Sequence, residues 1–135
     1  MSLSCEQAEH ALRVAKEKAI EIDRGPVGIA VVDARGDLIC CVRMDGARWY
    51  TADVARSKAF ASSTWGKTTK DLQATIADNP VVRTVISLGN DFITPAEGAV
   101  PIIKDNVILG AIGASGADPE ADEIISQAGV DAIVK

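Results

Sequence analysis

The residues in this chain whose types could do chemistry are few, and they fall in short polar breaks between apolar runs. Arg43 and Asp45 stand in the segment RMDGA, Lys58 in the stretch that follows, Glu97 ahead of an apolar run, and Ser115 in GASG. A carboxylate and an amine that converge in a pocket can move a proton once burial brings them toward neutrality. On that chemistry Asp45, Lys58 and Glu97 are the acid–base candidates of an enzyme, with Arg43 holding a substrate carboxylate. The same charges could as readily be ion pairs that fasten loops. No Ser-His-Asp or Cys-His set can be read by spacing, and a single histidine, His10, argues against a histidine-rich metal site, so no metal centre is expected.

What would bring these groups together is the stretch EGAVPIIKDNVILGAIGASG, residues 97–116. Residues 101–103 and 107–112 are apolar and rich in β-branched side chains, and Lys104, Asp105 and Asn106 between them tolerate the left-handed backbone of a tight turn. The spacing predicts an antiparallel hairpin whose open end sets Glu97 and Gly98 beside residues 113–116. Gly110 and Gly113 fall in or at the end of its second strand, where a missing side chain marks a bulge or a close approach by another backbone or a ligand. The expected pocket therefore lies between residues 43–47, 97–101 and 113–116, with Arg43, Met44, Gly98, Pro101, Ser115 and Gly116 as its ligand-binding residues. An anion site on GASG is disfavoured, because Asp118, Glu120, Asp122 and Glu123 already put negative charge at the start of the next helix.

Upstream, Ser4 and Gln7 form a capping-box pattern for a helix reaching about Asp23, with Ala8, Leu12, Ala15, Ala19 and Ile22 on its buried stripe. His10 falls on the opposite side with Glu6, Glu17 and Glu21; as a haem or metal ligand it would need help from another subunit. Residues 27–32 and 38–44, joined by DARGD, read as another hairpin. Thr51 is the expected cap of a helix through Trp65, whose stripe of Ala52, Ala55, Ala59 and Ser62 lets it lie close to a sheet or to another subunit's helix. Residues 67–77 read as a shorter helix stopped by Asn79 and Pro80, residues 82–88 as a middle strand, and residues 89–98 as a polar loop able to arch over a cavity. Asp118 caps a last helix with Pro119 in its first position. The order predicts one α+β domain over residues 1–135, an antiparallel sheet flanked by helices. Neither a dinucleotide-binding glycine fingerprint nor a Walker A sequence is present.

Composition narrows the function classes. Hydrophobic residues make up 47% of the chain and aromatic ones only 4%, so the core must be built from Val, Ile, Leu and Ala, which suits close packing of helix on sheet. A net charge of -5 opposes nucleic acid as a partner. Basic residues concentrate between Arg43 and Lys70 and acidic ones after Asp118. This asymmetry fits either two solvated helix faces or a basic patch that meets an acidic ligand or the acidic tail of another subunit. Cys5, Cys40 and Cys41 lack metal-ligand spacing and read as reduced thiols of a cytoplasmic protein. The charged, amphipathic start is no signal peptide, and no apolar segment is long enough to span a bilayer, so no membrane partner is expected.

Taken together, VGIAVVDARGDLICCVRMDGA, then SKAFAS, EGAVPI and VILGAIGASGADPEADE, resemble the family that includes the GlcG and HbpS proteins and the carboxy-terminal domain of PduO-type corrinoid adenosyltransferases. The match runs in order from the first helix to the last. It implies a profilin- or PAS-like α+β fold, assembly into homo-oligomers and, in several relatives, binding of haem or a related tetrapyrrole. On that resemblance haem is the candidate cofactor and His10 the candidate axial ligand. The family's usual GG before the hairpin proline is Gly98 and Ala99 here, and its usual SGG is Ser115, Gly116 and Ala117; each change adds a methyl beside the expected cavity. The leading expectation is a small-molecule-binding protein, haem or corrinoid related, in a homo-oligomer. Its alternative is an enzyme acting on a small acidic metabolite by proton transfer or hydrolysis in a catabolic pathway, and a third is an accessory protein with a filled pocket.

Overall fold

Two hairpins form where the turn residues permit them. In the second, Asp105 and Asn106 take left-handed backbone angles (φ 52 and 64), joining β3 (Ala99–Lys104) to β4 (Val107–Ser115). In the first, the Asp33 carboxylate accepts from the N–H groups of Arg35 and Asp37 at 2.9 and 3.0 Å and closes DARGD between β1 (Gly28–Asp33) and β2 (Leu38–Arg43). The inner strands then pair antiparallel, from Gly28 opposite Ser115 to Asp33 opposite Gly110, giving one sheet of order β2-β1-β4-β3. The computed structural model describes residues 1–88 and 93–134. Asn90 and Asp91 of the expected loop lie outside the described residues.

Five helices complete the described chain: α1 (Cys5–Ile22), α2 (Thr51–Trp65), α3 (Thr69–Asp78), α4 (Pro80–Ser87) and α5 (Pro119–Val134). Strand alternation sorts them into layers. Ile29, Val31, Ile112 and Ala114 join Ala8, Ala11 and Ala15 of α1 and Ile125 of α5 in the main core, while Val32 and Ala111, on the other face, pack with Ala59 of α2. Ser4 and Gln7 form the capping box of α1.

The seat of α2 depends on glycine. A Cβ built on Gly28 would lie 2.4 Å from the Ala52 nitrogen, and one on Gly113 would lie 2.1 Å from the Ala55 oxygen. Gly129 does the same for α5, where a Cβ would come within 2.8 Å of the Ala11 oxygen. The stripe of small residues therefore serves packing of helix on sheet inside one chain.

Two expectations are corrected. Residues 82–88 do not form a strand: residues 82–87 lie in α4 and Leu88 is its C-cap, because Asn79, which ends α3, also accepts from the Val81 N–H at 3.0 Å and Pro80 fills the first helical position. The β-branched run hides a helical period, with Val82 and Ile86 turned inward and Val81, Val85 and Leu88 exposed. Thr51 is not the cap of α2; Tyr50 takes that place without a side-chain cap bond, and the Thr51 hydroxyl donates to the Arg48 carbonyl at 2.9 Å. All three cysteines are free thiols, and burial, with Cys5, Glu9 and Cys41 adding, pushes the Cys40 thiol up to about 11. Among the described residues no helix is long and apolar enough to cross a membrane.

Gly113→Ala should lower stability by about 1–3 kcal/mol, since the added methyl meets backbone rather than a movable side chain. Urea unfolding measures it, and an unchanged midpoint would refute the close seat of α2.

Candidate functional site

The approach of α2 to β4 carries Lys58 to the open end of the second hairpin. Its Nζ donates to the Ala114 carbonyl at 3.0 Å and to Asp122 Oδ2 at 3.4 Å. Asp122 arrives there because Asp118 caps α5, its Oδ1 accepting from the Ala121 N–H at 3.0 Å, so that residue 122 falls in the first turn. Arg24 grips Asp118 from outside at 2.9 and 2.6 Å and holds that carboxyl down at about 2, below its ordinary 3.8. The second oxygen of Asp122 accepts from the Ala117 N–H at 3.0 Å.

Only 6% and 5% of the Lys58 and Asp122 side chains remain exposed, so this is a desolvated ion pair. Burial lowers the Lys58 pKa and raises that of Asp122, and their mutual attraction opposes both changes. Burial thus favours the neutral form of each group and their pairing the charged form. Gly98 makes room for them: a Cβ there would lie 2.9 Å from Lys58 Nζ, 3.0 Å from Asp122 Cβ and 2.7 Å from the Ala114 oxygen. Its carbonyl accepts from the Ala114 N–H at 3.1 Å and the Ser126 hydroxyl at 2.7 Å, tying the segment before β3 to β4 and α5. Thr94, bonded to the Ser57 hydroxyl at 2.6 Å, ties the same segment to α2.

These elements enclose a cleft of about 550 Å³. Thr51, Lys58, Asp122 and Ser115 are its buried polar members; Arg48, Tyr50, Gln73 and Glu97 add further polar groups, and Pro26, Ala47, Ala96, Ala117 and Pro119 line it with apolar surface. Glu97 and Ser115 thus share one recess. Gly116 lines it too, although a Cβ there would meet the Pro26 oxygen at 2.7 Å, so close backbone approach already requires glycine.

Other residues picked out in the sequence stand elsewhere. Arg43 donates to the Ala47 carbonyl at 2.9 Å, holding the loop that supplies Arg48 and Tyr50. Met44 packs against the main core, Asp45 is exposed, Pro101 pairs with Ala111 in the sheet, and Gly98 is buried behind the ion pair; none of the four lines the cleft. His10 is exposed on α1, its Nδ1 3.4 Å from Arg13 Nη2, and α1 contributes nothing to the cleft. Sequence reasoning missed Arg48, Tyr50, Gln73 and the pairing of Asp122. Asp122 did carry a signal: in ADPEADE it lies one turn beyond the cap, on the side of Ile125 and Ser126, which are buried.

Near the cleft, Glu123 Oε1 is buried with no hydrogen-bond partner among the described residues. Burial raises the Glu123 pKa, with the charge of Glu97 adding and Lys70 opposing. Chemically, the assembly can hold or pass a proton between an amine and carboxyl groups beside a ligand-sized space. Among the described residues no cluster of His, Cys, Asp or Glu could hold a metal ion.

A family model described as haem degrading protein HbpS-like matches residues 3–131, almost the whole chain. The chain belongs to this HbpS-like family. It is 27% identical to protein GlcG of Escherichia coli K12, the match covering 82% of this chain and 79% of that protein. A double mutant of Streptomyces reticuli HbpS superimposes with a TM-score of 0.89 at 29% identity over 100% of this chain and 89% of that one. The haem complex of PduOC does so with a TM-score of 0.86 at 25% identity, over 98% and 96%. The α+β fold with its four-stranded antiparallel sheet is thus the HbpS-like fold.

Lys58→Met should destabilise the fold by about 3–5 kcal/mol at neutral pH, because it leaves Asp122 buried and unpaired, and the double variant Lys58→Met, Asp122→Leu should recover much of that loss. Equal losses in denaturant unfolding would exclude a coupled pair. Glu123 has a folded pKa above its unfolded 4.5, so its stabilising contribution is present below pH 4.5 and lost as pH rises through the folded value. The stability of Glu123→Gln relative to wild type should therefore rise with pH across that window and then level off; unfolding curves collected against pH would refute this if the difference stayed flat.

Proposed function

We propose that this HbpS-like protein binds a small molecule of the haem- or corrinoid-related class in the cleft, and does so as a cytoplasmic homo-oligomer. The observation that carries the reading is the meeting of Lys58, Glu97 and Ser115 around one open space of about 550 Å³, a size suited to a small organic ligand. The family description and the haem complex of PduOC support the ligand class. The exposed stripe of Val81, Val85 and Leu88 on α4 supports self-association.

Haem presents an apolar ring, carboxylates and an iron that takes an axial donor. Arg48 offers a cation for a carboxylate, and Pro26, Ala47, Ala96, Ala117 and Pro119 offer apolar wall. Of the cleft residues, Tyr50 has the phenol oxygen that suits haem iron; His10 is exposed on α1, a helix that contributes nothing to the cleft. The residues therefore fit haem with Tyr50, rather than His10, as the donor. Bound there, haem would supply iron-centred redox chemistry, while Arg48 would orient it.

The buried Lys58–Asp122 pair favours a second reading as well, in which Lys58, Asp122 and Glu97 move a proton on a small acidic metabolite. Asp45, exposed and outside the cleft, takes no part in that version.

Haemin titration followed at the Soret band tests the first reading. The band should shift and saturate in wild type and in His10→Ala, and weaken or move in Tyr50→Phe. Binding abolished in His10→Ala but intact in Tyr50→Phe would transfer the ligand to the α1 surface and overturn the cleft assignment.

A further inference from the structure

The ligand-binding reading leaves Lys58 without a chemical task. A lysine that merely joins two helices can be sealed inside the protein, yet Lys58, at 5% exposure, lines the cleft. Its amine is aimed by two acceptors, the Ala114 carbonyl at 3.0 Å and Asp122 Oδ2 at 3.4 Å, and the second of these is a base able to take its proton. Gly98 lets the segment before β3 close against Nζ from behind, since a Cβ there would lie 2.9 Å away, so the amine is held from that side and meets open space on the cleft side. Arg48, which lines the same cleft, can receive a carboxylate.

Resting on the reading of this cleft as the ligand site, we propose that Lys58 captures a small carbonyl compound bearing a carboxylate, of the 2-oxo acid class, as a reversible Schiff base. Lys58 passes one proton to Asp122 and attacks the carbonyl carbon as the neutral amine. A C–N bond forms while the carbonyl π pair moves to oxygen, which takes the proton back from Asp122. Asp122 then removes a second proton from nitrogen and delivers it to the hydroxyl, which leaves as water. The product is a protonated imine paired with the Asp122 carboxylate; lysine ammonium and carbonyl become iminium and water, with no change of oxidation state. The opposed effects of burial on the two groups ease the first transfer, because each favours its neutral form.

Incubating the protein with pyruvate near neutral pH, reducing with borohydride and mapping peptides by mass spectrometry tests this. An N-carboxyethyl group is expected on Lys58 ahead of the exposed Lys16, Lys70 and Lys104, and only when pyruvate is present. Asp122→Asn, its fold checked by circular dichroism, should slow that labelling about a hundredfold. Pyruvate-dependent labelling confined to exposed lysines overturns the inference, and if haemin still shifts its Soret band in the same preparation the cleft reading stands without it. Labelling of Lys58 in a protein that ignores haemin supports the inference and removes the tetrapyrrole class instead.

Discussion

Close contact between α2 and the paired strands β1 and β4 governs the rest of this molecule. Gly28 and Gly113 remove the side chains that would hold the helix away, and Thr51, Ala52, Ala55 and Ala59 supply a helix surface thin enough to use the gap. Packing at such distances gains dispersion contacts that larger side chains could not reach without strain. It also has a positional effect. With α2 held at that height, Lys58 is carried past the end of the sheet, where β4 runs out and α5 begins, and Asp122 is there to meet it.

Burying that pair trades hydration for a single geometry, and such a trade is favourable only when the remaining polar atoms are satisfied. Here they are: the Asp122 oxygens accept from Lys58 and from the Ala117 N–H, and the Lys58 amine has the Ala114 carbonyl as a second acceptor. The charge asymmetry of the sequence finds its use within one chain. A lysine from the basic middle meets an aspartate from the acidic end, and Arg24 clamps Asp118 and Glu120 beside it.

The hairpins were legible because turn residues are local: Asp105 and Asn106 announce their left-handed backbone whatever surrounds them. So was the convergence of Glu97 with Ser115, which follows from antiparallel pairing alone. The helix α4 was not, since Val81, Val82, Val85 and Ile86 are β-branched and only the capping role of Asn79 toward Val81 settles the matter for a helix. Within the site, the sequence pointed to Lys58 and Glu97 but took Arg43, Met44, Asp45, Gly98 and Pro101 for its lining. Asp45 is exposed outside the cleft, while Arg43, Met44, Gly98 and Pro101 hold the loop, the core, the ion pair or the sheet, and which of two neighbouring residues faces a cavity is decided by tertiary packing. Asp122 was hidden for a related reason: its charge suits a helix start so well that nothing local demands a second partner.

The helix α4 has no buried residue and packs against α3 rather than the sheet. Nothing in the core leans on it, so changes to its sequence scarcely reach the stability of the sheet. The exposed Val81, Val85 and Leu88 have no duty inside the chain, and rewriting them would alter what the outer surface sticks to while the sheet, the α2 seat and the buried pair stay as they are.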